Sequence, residues 1–188
     1  MYWFYDSTYI LVILAAVISL IASARVKSTY AKYNKVLSAR GITADQVAQQ
    51  ILNGAGLPQI GVMQVPGDLT DHYNPNLQVL GLSQTVYGSR SVAAIGVAAH
   101  ECGHAIQDAE NYAPIRIRNS IVPVVNFGSK LSWPLMILGL IMAFDPLVLA
   151  GIWMFGLVVA FQVITLPVEF NASRRAMQIT RGTRDSGR

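Results

Sequence analysis

Residues 90–108 read RSVAAIGVAAHECGHAIQD, and this stretch decides the architecture. It is almost wholly apolar up to His100, so the helix it predicts, from Arg90 to Asp108 and opened by Ser89 or Ser91, is buried in protein, lipid or both. The run then turns to His100-Glu101-Cys102-Gly103-His104, an H-E-x-x-H motif. Four residues advance a helix by about 400°, so the two imidazoles stand only about 40° apart on one face. That spacing lets both bind one tetrahedral zinc and leaves a position for water. Glu101 then lies beside the water rather than on the metal. There it can act as general base, taking the proton as the zinc-activated water attacks a carbonyl carbon and delivering it to the leaving amine. The bland alternative is a pair of core histidines satisfied by hydrogen bonds, but burying such groups unpaired in so apolar a helix is costly. Cys102 is off ligand spacing and reads as a small packing residue.

Outside this helix the chain is that of a small membrane protein. Of its 188 residues 53% are hydrophobic and 13% charged, against about 25% charged in soluble domains. The mean hydropathy is +0.41, and the apolar excess comes in blocks. The net charge of +4 does not indicate nucleic acid, because the basic residues cluster beside apolar segments, where membrane topology and anionic headgroups explain them. A single cysteine rules out an intramolecular disulfide.

The first apolar block, Tyr9 to Ala24, follows the aromatic cluster Tyr2, Trp3, Phe4 and Tyr5, as expected of an N-terminal transmembrane helix over residues 1–25 entering through an interfacial belt. No basic stretch precedes it, which disfavours a signal peptide. Arg25, Lys27, Lys32, Lys35 and Arg40 follow and place that end in the cytoplasm. Residues 26–120 form the polar, catalytic region. In it Thr43 caps a helix from Ala44 to Leu52 with Gln46 at the capping-box position. Two short strands, Ile60 to Val65 and Leu77 to Leu82, flank the turn-rich stretch Pro66 to Asn76. Residues 121–168 read as a transmembrane hairpin broken at Asp145-Pro146, with members near Phe127–Phe144 and Leu147–Leu166. Lys130 is expected near the cytoplasmic end of the first member or snorkelling there. Residues 169–179 then form a separate helix starting after Pro167, and 180–188 a disordered tail. Arg116, Arg118, Arg174, Arg175, Arg181 and Arg184 agree with cytoplasmic ends. Three spans give an N-out, C-in topology.

A catalytic zinc usually has three protein ligands, and the candidates for the third are His72, Asp108, Glu110 and Glu169. Asp108 and Glu110 lie one to two turns beyond His104 and read as solvated helix-end residues. Glu169 sits where the hairpin returns to the cytoplasmic face, amid apolar residues that leave an acid in need of a partner. The residues alone favour Glu169 over His72 and leave pairing with Arg174 or Arg175 open.

The segments GDLTDHYNP (67–75), VLGLSQTVYGSRSVAAIGVAAHECGHAIQ (79–107) and TLPVEFNASRRA (165–176) resemble the neutral zinc metallopeptidases of the YugP-like group, small bacterial membrane proteins. The segment from Glu169 to Arg174 also resembles the E-x-x-x-D-R element of HtpX-like gluzincins. The resemblance implies Glu169 as third zinc ligand beside His100 and His104. Ser173 stands where that element has an Asp supporting a ligand from behind, so a weaker hydroxyl hydrogen bond is expected. Arg174 is expected to orient Glu169 or the substrate carbonyl. The resemblance further implies that Asn76–Leu82 forms a sheet edge holding substrate backbone. His72, in the turn before it, is a donor placed to stabilise the oxyanion, the alternative being a polar surface histidine. Members of the group carry a further apolar segment beyond the Glu-bearing helix. The sequence here closes on a basic tail, and altered packing around Glu169 is expected.

The expected fold is therefore mainly α, with about three transmembrane helices and a small α+β gluzincin-like cytoplasmic catalytic domain. The expected function is a zinc (Zn2+) metalloendopeptidase of the bacterial plasma membrane, multi-pass, its site facing the cytoplasm. Its partners would be a polypeptide substrate and the lipid bilayer, not nucleic acid, with room left for a homo-oligomer. A site-2-type intramembrane protease would need an L-D-G-type motif, and the sequence has none. The remaining alternative is a non-catalytic zinc-stabilised membrane scaffold or accessory protein.

Overall fold

A computed structural model describes residues 7–185, with side chains placed for 10–180. Five helices and three strands follow in the order α1 (Ser7–Asn34), α2 (Ala44–Gly54), β1 (Gly61–Val65), β2 (His72–Asn74), β3 (Val79–Ser83), α3 (Val92–Ala109), α4 (Ala113–Ile141) and α5 (Asp145–Asp185). The aromatic cluster at residues 2–5 and the last residues of the tail, 186–188, lie outside the described part.

The compact core is built by α2, the sheet and α3. Ala48, Leu52, Leu80, Leu82, Val86, Ala98 and Cys102 pack into one cluster. Apolar residues line one face of α2, and the Thr43 amide that opens it donates to Gln46 Oε1 at 3.1 Å, one half of the expected capping box. Ser91 caps α3 by accepting from the Ala94 amide at 3.1 Å.

The sheet runs β1-β3-β2, with β1 parallel and β2 antiparallel to β3. β3 is therefore internal, not the edge expected for Asn76–Leu82; β1 and β2 are the edges. The strand that displaces it, β2, is three residues long and lies within the stretch read as turns.

Among the described residues, three helices are long and apolar enough to cross a membrane: Ile10–Asn34, Ala113–Ile141 and Asp145–Thr180. Their apolar side chains point outward rather than into the core, as in Ile10, Leu20, Val124, Ile141 and Leu157, each at least 67% exposed. α4 and α5 pack as an antiparallel hairpin through small residues, a common device of membrane helices. A Cβ on Gly139 would meet Val148, and one on Gly151 would meet the Ser132 carbonyl oxygen, at 2.7 and 2.8 Å.

The helices are longer than expected. α4 starts at Ala113 and carries Pro123 and Pro134 inside it, so Lys130 falls within the helix rather than near its end, with its side chain exposed. α5 runs on through Pro167, so Glu169 lies in the body of this helix and not in a separate one after a break. The same helix continues to Asp185, where a disordered tail from Thr180 was expected. An internal proline removes one backbone hydrogen bond, and the surrounding turns of a long apolar helix tolerate that loss.

Two tethers bring the ends of these helices to α3. The chain after α1 clips to the start of α3, with the Ser38 amide donating to the Arg90 carbonyl at 2.9 Å and the Val92 amide to the Val36 carbonyl at 2.8 Å. α5 crosses α3 at Gly103, where an added Cβ would stand 2.7 Å from the Ala172 carbonyl oxygen.

Candidate metal centre

The crossing of α3 and α5 assembles the centre. His100 and His104 project from one face of α3 with ring centroids 4.8 Å apart and planes at 85°. Across the crossing, Glu169 Oε2 lies 3.2 Å from His100 Nε2 and 3.5 Å from His104 Nε2. The ligand-type atoms of the three residues all lie within 4.8 Å of one another.

The outer nitrogens of both imidazoles are occupied. His104 Nδ1 is 3.0 Å from Gln107 Oε1. The amide of Gln107 is oriented by its other end, which donates to the Val168 carbonyl and to Asn171 Oδ1, both at 2.9 Å. An oxygen therefore faces His104, so Nδ1 carries the proton and Nε2 turns its lone pair into the space it shares with Glu169, where an ion would sit. His100 Nδ1 shares a 3.2 Å hydrogen bond with Ser173 Oγ, the hydroxyl contact expected where the related element has an Asp. Arg118 holds the other carboxylate oxygen of Glu169 at 3.4 Å.

Two imidazole nitrogens and one carboxylate oxygen form a zinc donor set. With metal–ligand bonds of about 2.1 Å, a tetrahedron has edges of about 3.4 Å, and the two Nε2–Oε2 separations bracket that value. The residues fit the ion.

The other candidates lie elsewhere. Asp108 accepts from the Tyr73 hydroxyl at 3.1 Å, and Glu110 pairs with Arg175 at 2.7 Å. Arg174 is exposed, and the guanidinium that meets Glu169 is that of Arg118. Arg118 comes from the start of α4 and has no sequence spacing that announces it. Gln107 was likewise not singled out, although a glutamine one turn beyond the second histidine, on an otherwise apolar face, is a readable signal.

A polar cavity of about 170 Å³ opens beside the three residues, with Glu101, Asp71, His72 and Tyr73 on its walls. Burial pushes the Glu101 carboxyl up from its ordinary value, opposed in part by His104 and His100. The Tyr73 phenol is pushed up to about 12, first by burial and then by Asp108, so it remains a donor. Asp71 accepts from the Ser83 amide and hydroxyl at 2.8 and 2.9 Å, which fixes the loop before β2. His72 pairs with Gly81 across the sheet, and its Nδ1 lies 2.8 Å from the Thr70 carbonyl. Nδ1 is therefore the donor, and Nε2 donates to a further group only when the ring is protonated.

The profile of a family described as "Putative neutral zinc metallopeptidase" matches residues 8–184. The chain belongs to that family. It is 46% identical over 169 residues to the "Putative membrane protease YugP" of Bacillus subtilis (strain 168), covering 90% of this chain and 75% of the relative. No solved structure matches it. Zinc is the metal the family is named for, and His100, His104 and Glu169 lie close enough together to hold it.

Proposed function

We propose that this protein is a zinc-dependent membrane metalloendopeptidase of gluzincin type, cleaving peptide bonds of polypeptides at the cytoplasmic face of the plasma membrane. The observation that carries the reading is Glu169 Oε2 at 3.2 and 3.5 Å from the Nε2 atoms of His100 and His104. Zinc, when bound there, supplies a Lewis acid that polarises a carbonyl and acidifies a water. His100, His104 and Glu169 would hold the ion, with Arg118 keeping one carboxylate oxygen turned away from it. Glu101, in the adjoining cavity, takes a proton from the attacking water on its carboxylate and returns it to the departing amine. A carboxyl raised by burial is better matched to both tasks near neutral pH. His72 Nε2, in its protonated form, is the donor available for a developing oxyanion.

A structural zinc usually has four protein ligands. Three are gathered among the described residues, and the cavity beside them has room for a reactant. This favours catalysis over a scaffold role.

Helix geometry supports a site at the membrane surface rather than at mid-depth. At about 1.5 Å per residue, Glu169 stands roughly 36 Å along α5 from its start at Asp145. The hydrocarbon core is about 30 Å thick, and a tilt of about 20° still leaves about 34 Å. Arg25, Lys27, Arg116 and Arg118 belong to the same ends of the helices, which supports a cytoplasmic face. The name of the Bacillus subtilis relative, a membrane protease, points the same way.

The deciding experiment uses Glu101→Gln in zinc-loaded protein. Zinc content should be retained while cleavage of an unfolded polypeptide such as casein falls by about 10²- to 10⁴-fold. Full activity in that variant rejects the mechanism.

A further inference from the structure

The polar cavity is not the only opening at Glu101. A larger groove, of about 1,090 Å³, runs from His100 and Glu101 along α3 and is lined as well by α1, by Leu69 and Asp71 of the loop before β2, and by α5. Its walls are mostly apolar and open to the outside: Val26 is 70% exposed, Leu69 74% and Met177 54%. Leu69 is held at φ 56°, in the left-handed region that a branched side chain rarely adopts. A backbone so constrained presents a large apolar side chain to the exterior as a lip of the groove.

Gly96 lies on the groove floor, one helical turn before His100. Glycine in the middle of a helix is unfavourable relative to alanine; close packing explains it at some helical glycines of this fold and not at others, such as Gly156. Gly103, Gly139 and Gly151 would each drive a Cβ into a neighbouring helix, whereas a Cβ on Gly96 meets nothing within 4 Å. The space above Gly96 is open and leads to Glu101. The groove also reaches Arg25 and Val26, where the apolar run of α1 gives way to charge and such a helix leaves the hydrocarbon.

We propose that this groove binds the membrane-proximal flank of the substrate: an extended stretch of another membrane protein, just outside one of its transmembrane segments, with a bulky apolar side chain seated over Gly96. The inference rests on reading His100 and Glu101 as the reaction site. A groove that joins this centre to the helix boundary at Arg25 suits a chain rising from the bilayer, and its apolar walls suit aliphatic or aromatic side chains rather than charged ones.

The test uses zinc-loaded, full-length Glu101→Gln protein in detergent, so that binding is read without turnover. The probe is a synthetic peptide with a Leu/Ala transmembrane segment followed by a flank of Leu, Phe and one photoreactive benzoylphenylalanine. A second peptide carries a Ser/Gly flank around the same photoreactive residue. Crosslinks of the apolar-flank peptide should map to Val26, Tyr33 or Met177, at a yield about tenfold above the Ser/Gly peptide, the worth of burying one Leu or Phe side chain. Gly96→Phe, which fills the groove, should bring the two yields together. Leu69→Gly removes the lip while relieving the left-handed strain, and should reduce the difference without unfolding the protein. Equal yields from the two peptides, or a preference untouched by both variants, overturn the proposal. Casein cleavage by the wild type, measured in parallel, tests the peptidase reading by itself.

Discussion

Gly103 and Ala172 meet backbone to backbone: a Cβ at position 103 would lie 2.7 Å from the Ala172 carbonyl oxygen and 3.1 Å from its Cα. This contact is bracketed by His100 and His104 on one helix and by Glu169 and Ser173 on the other. The distance between the helices at this point therefore sets the distance between the metal-binding atoms. Gly103→Ala should force α5 outward, because the obstacle is backbone and cannot rotate away. We expect a stability loss of about 1–3 kcal/mol, typical of overpacking, together with weaker zinc binding. Thermal melts and zinc titration check both; unchanged zinc affinity would show that the crossing does not govern the centre.

The hydrogen bonds behind the two histidines are unequal. Gln107 is fully buried and oriented from two sides, whereas Ser173 is partly exposed and offers one hydroxyl to His100. Gln107→Leu should lower zinc affinity by about 10- to 100-fold, as loss of a supporting partner commonly does. Ser173→Ala should have the smaller effect, since water can replace its hydroxyl. Competition with a chromogenic chelator ranks the two; the reverse order would refute the tautomer assigned to His104.

Zinc held by His100, His104 and Glu169 would tie α3 to α5. Bound at 1,000 times its dissociation constant, it would stabilise the fold by about 4.1 kcal/mol. Cys102 gives a direct reading of that link. Its thiol is fully buried against the Ala48 carbonyl, and burial pushes its pKa up. Maleimide should not label it in the zinc-loaded protein, and chelation should speed labelling at least tenfold, followed by mass spectrometry. Rapid labelling before chelation would contradict the packing of α3 on α2.

Gly81 makes room for His72. A Cβ there would lie 3.0 Å from His72 Cε1 and 2.9 Å from Val65 Cγ1, both side-chain atoms able to move. Gly81→Ala should therefore cost only about 1 kcal/mol while displacing the imidazole. If His72 assists the oxyanion, His72→Ala lowers kcat by about 10²- to 10³-fold, Gly81→Ala lowers it in part, and zinc content stays constant. A change confined to KM would assign His72 to peptide binding instead.

What could be read from the sequence followed from how strongly each feature is patterned. The helical spacing of His100 and His104, the cap at Thr43 and the two short apolar runs on either side of a turn-rich stretch are local signals, and α3, α2, β1 and β3 appear within two residues of where these place them. β2 was hidden because three residues carry no periodicity and sit among Gly67, Asp68, Asn74, Pro75 and Asn76, which favour turns. The extents of α4 and α5 were hidden for a different reason. Pro123 and Pro167 are breakers in water, and in a long apolar helix they are not. Arg118 and Asp71 take their places only through the way α4 meets α5 and the loop meets β3, contacts that leave no trace in neighbouring residues.

Because α5 is a single helix from the hairpin turn to Glu169 and beyond, the carboxylate is set in rotational phase with Gly151, whose face is locked against Ser132 and Met136. One residue inserted between positions 151 and 169 would turn Glu169 through about 100° and away from both histidines. Seven inserted residues, two nearly whole turns, would restore its direction to within about 20° but carry it some 10 Å past them. Length and angle are thus both constrained along a stretch whose outward side chains touch no other part of the core. Substitution there can be permissive, while insertion or deletion is not.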